Sequence, residues 1–295
     1  MTTVQLPLVV GVDGSDGSLT AVDWAVDEAA RRGLPLLLVY ASLWERYEGV
    51  TLSDDVRRPS EQVLAEHIVT AAAERARRRD PDVKVFTAVH ASDPVDALLR
   101  AANDATALVT GSRGRGELAG LLLGSVSLAV AARAHCPVIV VRGDRAGLAG
   151  THGRVLLGAG DPATGGAAAR FAVHEAEIRD CTLDAVRAWR CPAHESADLD
   201  ALAREPAHEH EERATAQLDE LLSGPLADHP GVRVRRTTVE GSARKVLVRH
   251  SAAADLVVVG ARHRRQGHLG LQLGRVAHTL LHHAECPVAV VPQQG

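Results

Sequence analysis

An internal repeat is the feature that most constrains how this chain can fold. The segment WAVDEAARR at residues 24–32 matches FAVHEAEIR at residues 171–179, at an offset of 147 residues. Near the end of each half, GSVSLAVAARAHCPVIVV at 124–141 matches GRVAHTLLHHAECPVAVV at 274–291, at an offset of 150. Self-similarity at one long period indicates a single structural unit that occurs twice in succession.

The repeat divides the chain into two domains of ordinary size. Domains usually contain about 100–200 residues, and the 295 residues of this chain accommodate two of them. We predict domains at residues 1–142 and 154–295. The segment GDRAGLAGTHG at 143–153 is rich in glycine and has no periodicity, so we predict that it is the linker.

The order of apolar and amphipathic segments predicts an α/β fold for each domain. In the first half, short apolar runs such as residues 6–12 and 34–41 read as buried strands. Between them, apolar positions from 18 to 32 recur at helical spacing, and Asp93 followed by Pro94 is typical of a helix start. Apolar strands that alternate with helices form a parallel sheet that is covered on both faces.

The glycine-rich loop after the fourth predicted strand has the spacing of an anion-binding loop. Gly111 is followed after two residues by Gly114, and after nine more by Gly124 and Ser125. We expect Gly111 to turn with a positive φ and to let a ligand approach the main chain. The last helix, which begins near Ser125, would direct its free N–H groups at a phosphate. The alternative is a connection that is shaped by packing alone.

The ends of the first two strands supply the other side of the candidate site. Asp13 follows the first strand, and ligands of such sheets bind beyond the carboxyl ends of the strands. Its carboxylate could contact an adenine or a ribose, or it could serve only as a turn or cap residue. The second strand ends near Ala41 and would form an apolar wall. We expect Ser15 and Ser18 to cap the first helix.

These motifs resemble those of the universal stress protein family. The resemblance rests on GVDGS at 11–15, on Asp93-Pro94, on the glycine spacing of the loop and on CPVIVV at 136–141, and it covers nearly the whole chain, once in each half. It implies tandem Rossmann-like domains of the adenine nucleotide α-hydrolase-like type, each a five-stranded parallel sheet with helices on both faces. It also implies ATP binding, with or without Mg²⁺, and dimer contacts through the last strand.

The resemblance further implies which residues would hold the nucleotide. Asp13 and Ala41 would border the adenine and the ribose. The phosphates would be held by the glycine loop and the start of the last helix, which are Gly111, Gly114, Gly124, Ser125 and Val126.

The second half departs from this pattern at the positions that matter for binding. The aspartate, the second glycine and the serine are replaced there by Gly160, His263 and Arg275, and the glycine interval is one residue longer. Asp161 could replace the aspartate only with a shifted backbone. We therefore predict one competent ATP site, in the first half. Basic side chains of the second half could still attract an anion, namely Arg262, Arg264, Arg265 and Arg275.

Composition excludes other classes of partner. The 33 lysines and arginines are outnumbered by 37 aspartates and glutamates, whereas nucleic-acid and membrane-surface binders carry a basic excess. No apolar run approaches the ~20 residues that span a bilayer, and the first residues do not resemble a signal peptide. We expect a cytoplasmic protein with neither a nucleic-acid nor a membrane partner.

Two sets of reactive side chains are better explained by structure than by chemistry. Cys136 and Cys286 each precede a proline at the entry to the last strand of their half, where we expect buried packing residues. His278 and His282 have the spacing of two ligands on one helix face, but no matching cluster accompanies them, so we expect solvated histidines.

Together these observations predict an ATP-binding sensor or regulatory module of the stress response. We expect the halves to pair as an internal pseudo-dimer through their last strands, and a homodimer of the whole chain stays open. No nucleophile, general base or metal triad is evident, so we expect slow hydrolysis or none. The alternatives are a structural or partner-binding scaffold without nucleotide and, less favoured, an enzyme that uses ATP to adenylate a substrate.

Overall fold

The computed structural model describes five stretches of the chain, which are residues 5–43, 60–114, 123–190, 207–262 and 273–293. They belong to two compact units that divide between Arg142 and Gly143. Three residues of the second half that were named above lie outside the described stretches, namely His263, Arg264 and Arg265.

The first unit alternates strands and helices along the chain. Its elements are β1 (Leu8–Gly11), α1 (Asp16–Arg32), β2 (Leu36–Ala41), α2 (Ser60–Arg79), β3 (Val85–His90), α3 (Pro94–Ala102), β4 (Ala107–Gly111), α4 (Ser125–Arg133) and β5 (Val138–Val141). The strands lie in the order β3-β2-β1-β4-β5, and all neighbours are parallel. Helix α1 packs beside α2, and α3 packs beside α4, so that two pairs of helices cover the sheet.

The central strands are apolar along their length because both of their faces are covered. Leu8, Val9 and Val10 of β1 have no solvent-exposed surface, and the same holds for Leu108 of β4. A strand with one solvated face would alternate between apolar and polar residues. Strand β3 lies at the edge of this order, and its Phe86 is 58% exposed. A continuous apolar run is therefore a clearer signal for the central strands than for the edge strand β3.

The second unit repeats this architecture. Its elements are α5 (Arg145–Ala149), β6 (Arg154–Gly158), α6 (Pro162–Ile178), β7 (Thr182–Trp189), α7 (Ala207–Asp228), β8 (Val234–Glu240), α8 (Ala243–Ser251), β9 (Leu256–Arg262), α9 (Arg275–His283) and β10 (Val288–Gln293). The parallel order is β8-β7-β6-β9-β10. The prediction of tandem Rossmann-like α/β domains, each with five parallel strands and helices on both faces, is confirmed.

Helix α5 lies inside the segment that the sequence predicted as a linker. The Asp144 carboxylate caps it by accepting a hydrogen bond from the backbone N–H of Gly147 at 2.8 Å, and Gly150 ends it in a left-handed conformation. The backbone N–H of Asp144 also donates to the carbonyl of Glu285 at 3.0 Å. A helix of five residues is too short to show a repeat of apolar positions, so periodicity could not predict it.

A buried ion pair recurs at the same place in both units. Glu28 of α1 is fully buried and accepts a hydrogen bond from Nε of Arg32 at 2.6 Å. The equivalent Glu175 of α6 is also fully buried, and Nε of Arg179 donates to it at 3.0 Å. Nη1 of the partly exposed Arg31 also lies 3.3 Å from the Glu28 carboxylate. Removal of Arg32 therefore leaves the buried carboxylate with a longer and more solvated cationic partner, which is destabilising.

We expect Arg32→Ala to lower the opening free energy of the first unit by about 2 kcal/mol, because one charged hydrogen bond to Glu28 is lost while Arg31 remains. Arg78→Ala removes an exposed pair, with Glu74 at 3.6 Å, and should cost less than about 0.5 kcal/mol. Hydrogen–deuterium exchange of peptides from β1 and β4 measures this free energy for the first unit alone. Equal effects of the two substitutions would contradict the importance assigned to the buried pair.

Candidate functional site

A cavity of about 450 Å³ opens at the carboxyl ends of β1, β2 and β4, beside the start of α4. The strand order reverses at this point, because β1 lies between β2 and β4, and ligands of open parallel sheets bind at such positions. The cavity is lined by every residue that the sequence predicted for the site, which are Asp13, Ala41, Gly111, Gly114, Gly124, Ser125 and Val126. Residues from separate parts of the first unit are thus brought together.

Asp13 shapes the turn after β1 and also lines the cavity. Its Oδ1 accepts a hydrogen bond from the backbone N–H of Ser15 at 2.9 Å and another from the Ser15 hydroxyl at 2.6 Å. Ser15 is in turn the N-cap of α1 and accepts from the backbone N–H of Ser18 at 3.2 Å. The turn role that the sequence left open for Asp13 is therefore present, and the capping role predicted for Ser15 is confirmed.

Gly114 faces the other carboxylate oxygen of Asp13. A Cβ on Gly114 would lie 2.5 Å from Oδ2, which is closer than side-chain carbons approach other atoms. The second loop glycine and the aspartate therefore depend on each other: the carboxylate occupies the space that a side chain at position 114 would need. In the second half both have been replaced, by Gly160 and His263.

The positive φ expected for Gly111 is wrong. Its φ does not lie in the left-handed region, so no positive-φ turn requires a glycine at the end of β4. A Cβ at this position would instead lie 2.4 Å from the carbonyl oxygen of Gly17, in the first turn of α1. Gly17 itself would place a Cβ 2.4 Å from the carbonyl oxygen of Arg113. Main chain packs against main chain here, and this contact requires two glycines.

The start of α4 forms the side of the cavity that is suited to an anion. Gly124 is its N-cap, and no side chain caps the helix, so the N–H groups of the first turn have no intrahelical or side-chain acceptor. The Ser125 hydroxyl has no hydrogen-bond partner in the described part of the chain. The buried Ser127 donates its hydroxyl proton to the carbonyl of Gly111 at 2.7 Å and so ties the helix to β4.

The apolar wall expected at the end of the second strand is present, and two further lining residues, Leu98 and Thr110, were not identified from the sequence. Val39 and Leu98 extend the apolar wall beside Ala41. Thr110 is 4% exposed, and its Oγ1 has no hydrogen-bond partner among the described residues. The sequence does contain a signal for Thr110, which is a polar residue inside the apolar run ALVTG. A buried hydroxyl without a hydrogen-bond partner costs free energy, so its presence in a buried strand points to a ligand or another partner. A ligand in the cavity could satisfy this hydroxyl.

The equivalent cavity of the second unit is smaller and has different walls. It measures about 250 Å³, and Val259 stands where the first unit has the threonine. Asp161 caps α6 by accepting from the backbone N–H of Ala163 at 3.0 Å. The side chain of Gln293 lies over Gly260, where Nε2 would be 2.8 Å from a Cβ. Gln293 thus fills space at the end of β9.

The cysteines are buried as the sequence predicts, whereas the prediction of solvated histidines holds for His278 but not for His282, whose Nε2 is buried. Cys136 and Cys286 are buried, and burial raises the pKa of the Cys136 thiol to about 11. His278 and His282 pack ring against ring, with centroids 4.6 Å apart. No group of three or more histidine, cysteine or acidic side chains in the described stretches is arranged to hold a metal ion. Among the helices of those stretches, none has the length and apolar character needed to cross a membrane.

Comparisons with known proteins define the family. The family model for the universal stress protein family matches residues 7–142 and again residues 151–292. Universal stress protein Rv2005c from Mycobacterium tuberculosis is 35% identical over 305 residues, which cover 98% of this chain and 98% of that protein. The chain therefore belongs to the universal stress protein family and carries two copies of its domain.

One solved structure agrees with the fold over almost the whole chain. A universal stress protein from Archaeoglobus fulgidus superposes with a TM-score of 0.70 at 18% identity, and the match covers 97% of this chain and 98% of that one. The Archaeoglobus fulgidus universal stress protein solved in complex with dAMP is 24% identical and covers 48% of this chain and 100% of its own, with a TM-score of 0.36.

The glycine contacts make a testable distinction between packing and binding. Gly111→Ala places a methyl group against main chain and should lower the stability of the first unit by about 2–3 kcal/mol. Gly124→Ala meets nothing closer than 3.7 Å, so we expect a cost below about 1 kcal/mol from the poorer N-cap. Thermal unfolding of both variants measures the difference. A Gly124→Ala protein as unstable as Gly111→Ala would show that both glycines serve packing.

Proposed function

We propose that the first unit binds ATP, with or without Mg²⁺, and that the chain acts as a nucleotide-binding sensor or regulatory module of the stress response. The observation that carries this proposal is the convergence of all seven predicted residues on one cavity at the reversal point of the sheet. Its volume of about 450 Å³ lies within the range of about 300–1,000 Å³ that is usual for small-molecule sites.

The apolar side of the cavity suits a planar base. Val39, Ala41 and Leu98 line it together, and a flat aromatic base buries its faces well against aliphatic side chains. Asp13 stands at the carboxyl end of β1, where a carboxylate could accept hydrogen bonds from a ribose or from an adenine amino group. Thr110 adds a buried hydroxyl that a ligand atom could satisfy.

The opposite side suits phosphates. The uncapped first turn of α4 offers free N–H groups and the positive end of the helix dipole. The exposed Arg113 adds a positive charge on the same wall, and Ser125 adds a hydroxyl. The base would thus lie beside the end of β2, the sugar beside the end of β1 and the phosphates at the start of α4, all within one cavity.

We propose that ATP does not bind in the same way to the second unit. The cavity there measures about 250 Å³, below the usual range of small-molecule sites. Gln293 occupies space beside β9, and Gly160 and Val259 stand at the positions of Asp13 and Thr110. Asp161, which lines this cavity, is one residue away from the equivalent position and caps α6. The second copy would then serve as a structural partner of the first. The domain boundaries at 142 and 154 and the pairing of the halves through their last strands remain part of this proposal.

A direct experiment identifies the ligand. The protein is purified without added nucleotide and denatured, any released nucleotide is identified by mass, and ATP is then titrated by calorimetry. We expect ATP binding that Gly114→Val abolishes, because a side chain at this position displaces the Asp13 carboxylate. Absence of binding at millimolar ATP would overturn the proposal in favour of a scaffold without nucleotide.

A matched pair of substitutions locates the site in one half of the chain. Gly124→Ala should weaken ATP binding at least tenfold, because it adds a methyl group beside the uncapped helix start where the phosphates would lie. Gly274→Ala makes the same change at the N-cap of α9, where a Cβ meets nothing within 4 Å, and should leave ATP affinity unchanged. If both substitutions weakened binding equally, the assignment to the first unit would be wrong.

Hydrolysis is a separate question, which a phosphate-release assay answers. Among the described residues that line the cavity, Asp13 is the one acidic side chain and there is no histidine, so we propose binding with slow turnover or none. Sustained release of phosphate in many turnovers per minute would favour an enzyme of the wider nucleotide-hydrolase group.

A further inference from the structure

The second unit contains a basic depression whose lining differs in chemistry from the ATP cavity of the first unit. The depression measures about 370 Å³ and lies at the carboxyl ends of β7 and β8. Three exposed arginines line it, which are Arg190, Arg244 and Arg275. None of them forms an ion pair within the described stretches, and no acidic residue of those stretches lines the depression.

Two helices point their N-termini into the same depression. Helix α8 begins at Ala243 after the N-cap Ser242, and α9 begins at Arg275; each contains nine residues, and neither has a side-chain cap. Residues from both first turns line the depression. The free N–H groups and the positive ends of two dipoles therefore add to the charge of the arginines.

One lining residue of the depression has an unsatisfied donor. Trp189 lines the depression, and its indole Nε1–H is buried without a hydrogen-bond partner in the described part of the chain. The backbone N–H of Gly241 donates to the Trp189 carbonyl at 2.8 Å, and a φ of +148° makes glycine the residue that fits this turn. His210 stacks on the indole at 6.3 Å between ring centroids. The tryptophan is thus held in place by the turn and by the ring contact.

The equivalent positions of the first unit do not carry this charge. At the positions of the three arginines, the first unit carries the uncharged residues Leu43, Val95 and Ser125. Conversely, Asp13 and Asp93 of the first unit are replaced by Gly160 and Ser242. Asp161 stands where the first unit has Gly14, so the second unit has three more positive charges and one carboxylate fewer among these positions. This end of the sheet therefore favours an anion more strongly in the second unit than in the first.

We propose that this depression binds a small molecule that carries a phosphate group, as a site separate from the ATP cavity of the first unit. Three guanidinium groups and two helix starts offer donors from several directions, which suits the tetrahedral oxygens of a phosphate. A carboxylate is planar, and one guanidinium already satisfies it in a bidentate pair. The adjoining cavity of about 250 Å³, narrowed by Gln293, leaves room for only a small group beyond the phosphate.

The indole N–H of Trp189 provides a local readout in the full-length protein. Nitrogen-15 spectra show one indole signal for each of the three tryptophans. The signal that is absent from the spectrum of Trp189→Phe is the Trp189 signal. We expect inorganic pyrophosphate to shift the Trp189 signal in a saturable manner. Arg244→Gln and Arg275→Gln should each weaken this binding at least tenfold, whereas Arg249→Gln, on the same helix α8 but outside the depression, should change it less than twofold.

The outcomes separate this site from its alternatives. A Trp189 signal that pyrophosphate does not move would overturn the proposal, and so would an Arg249→Gln effect as large as that of Arg244→Gln, which would indicate unspecific attraction. Tighter binding of citrate than of pyrophosphate would contradict the phosphate specificity. The result does not depend on ATP binding by the first unit, because the readout reports only on the second unit and Gly124→Ala should leave it unchanged.

Discussion

The first turn of α1 lies so close to the end of β4 that neither main chain can carry a side chain at the contact. Gly17 and Gly111 meet there, and a Cβ on Gly111 would lie only 2.4 Å from the carbonyl oxygen of Gly17. This approach sets where the loop after β4 can run, and Ser127 then ties the start of α4 to the Gly111 carbonyl. The depth of the cavity and the direction of the uncapped helix start both follow from this contact.

The second unit lacks this contact and has a different cavity as a consequence. Thr164 stands at the position of Gly17, and the glycine of β9 is covered by the side chain of Gln293 instead of by a helix main chain. The sheet order and the buried ion pair of the first helix are nevertheless the same in both copies. Burial of the sheet thus constrains the fold in both units, whereas the residues at the carboxyl ends of the strands differ between them.

The fold could be predicted from the sequence because its signals are local or repeated. Apolar runs, helical spacing and the Asp93 cap each depend on neighbouring residues, and the capping bonds from Val95 and Asp96 are present. The set of site residues could be predicted because strand ends of a known sheet order meet at one edge. The repeat then showed which copy had changed.

What could not be predicted depends on contacts between distant segments. The packing reason for Gly111 requires the position of α1 relative to β4, and the role of Gln293 requires the end of β10 to be placed over β9. The three arginines of the basic depression come from three separate parts of the sequence, after β7, in α8 and in α9. The sequence indicated Arg275 as a residue that could attract an anion, but it gave no sign of Arg190 or Arg244, and only the topology brings the three to one place.

The number of ATP molecules bound per chain tests the central claim most directly, because the claim is that one copy of the domain kept the nucleotide cavity and the other changed it. Equilibrium dialysis of the full-length protein with labelled ATP, carried to saturation, measures this number. The structure leads us to expect one ATP per chain, lost in Gly114→Val. Two equivalent ATP molecules per chain, or one that survives Gly114→Val in a folded protein, would contradict the account.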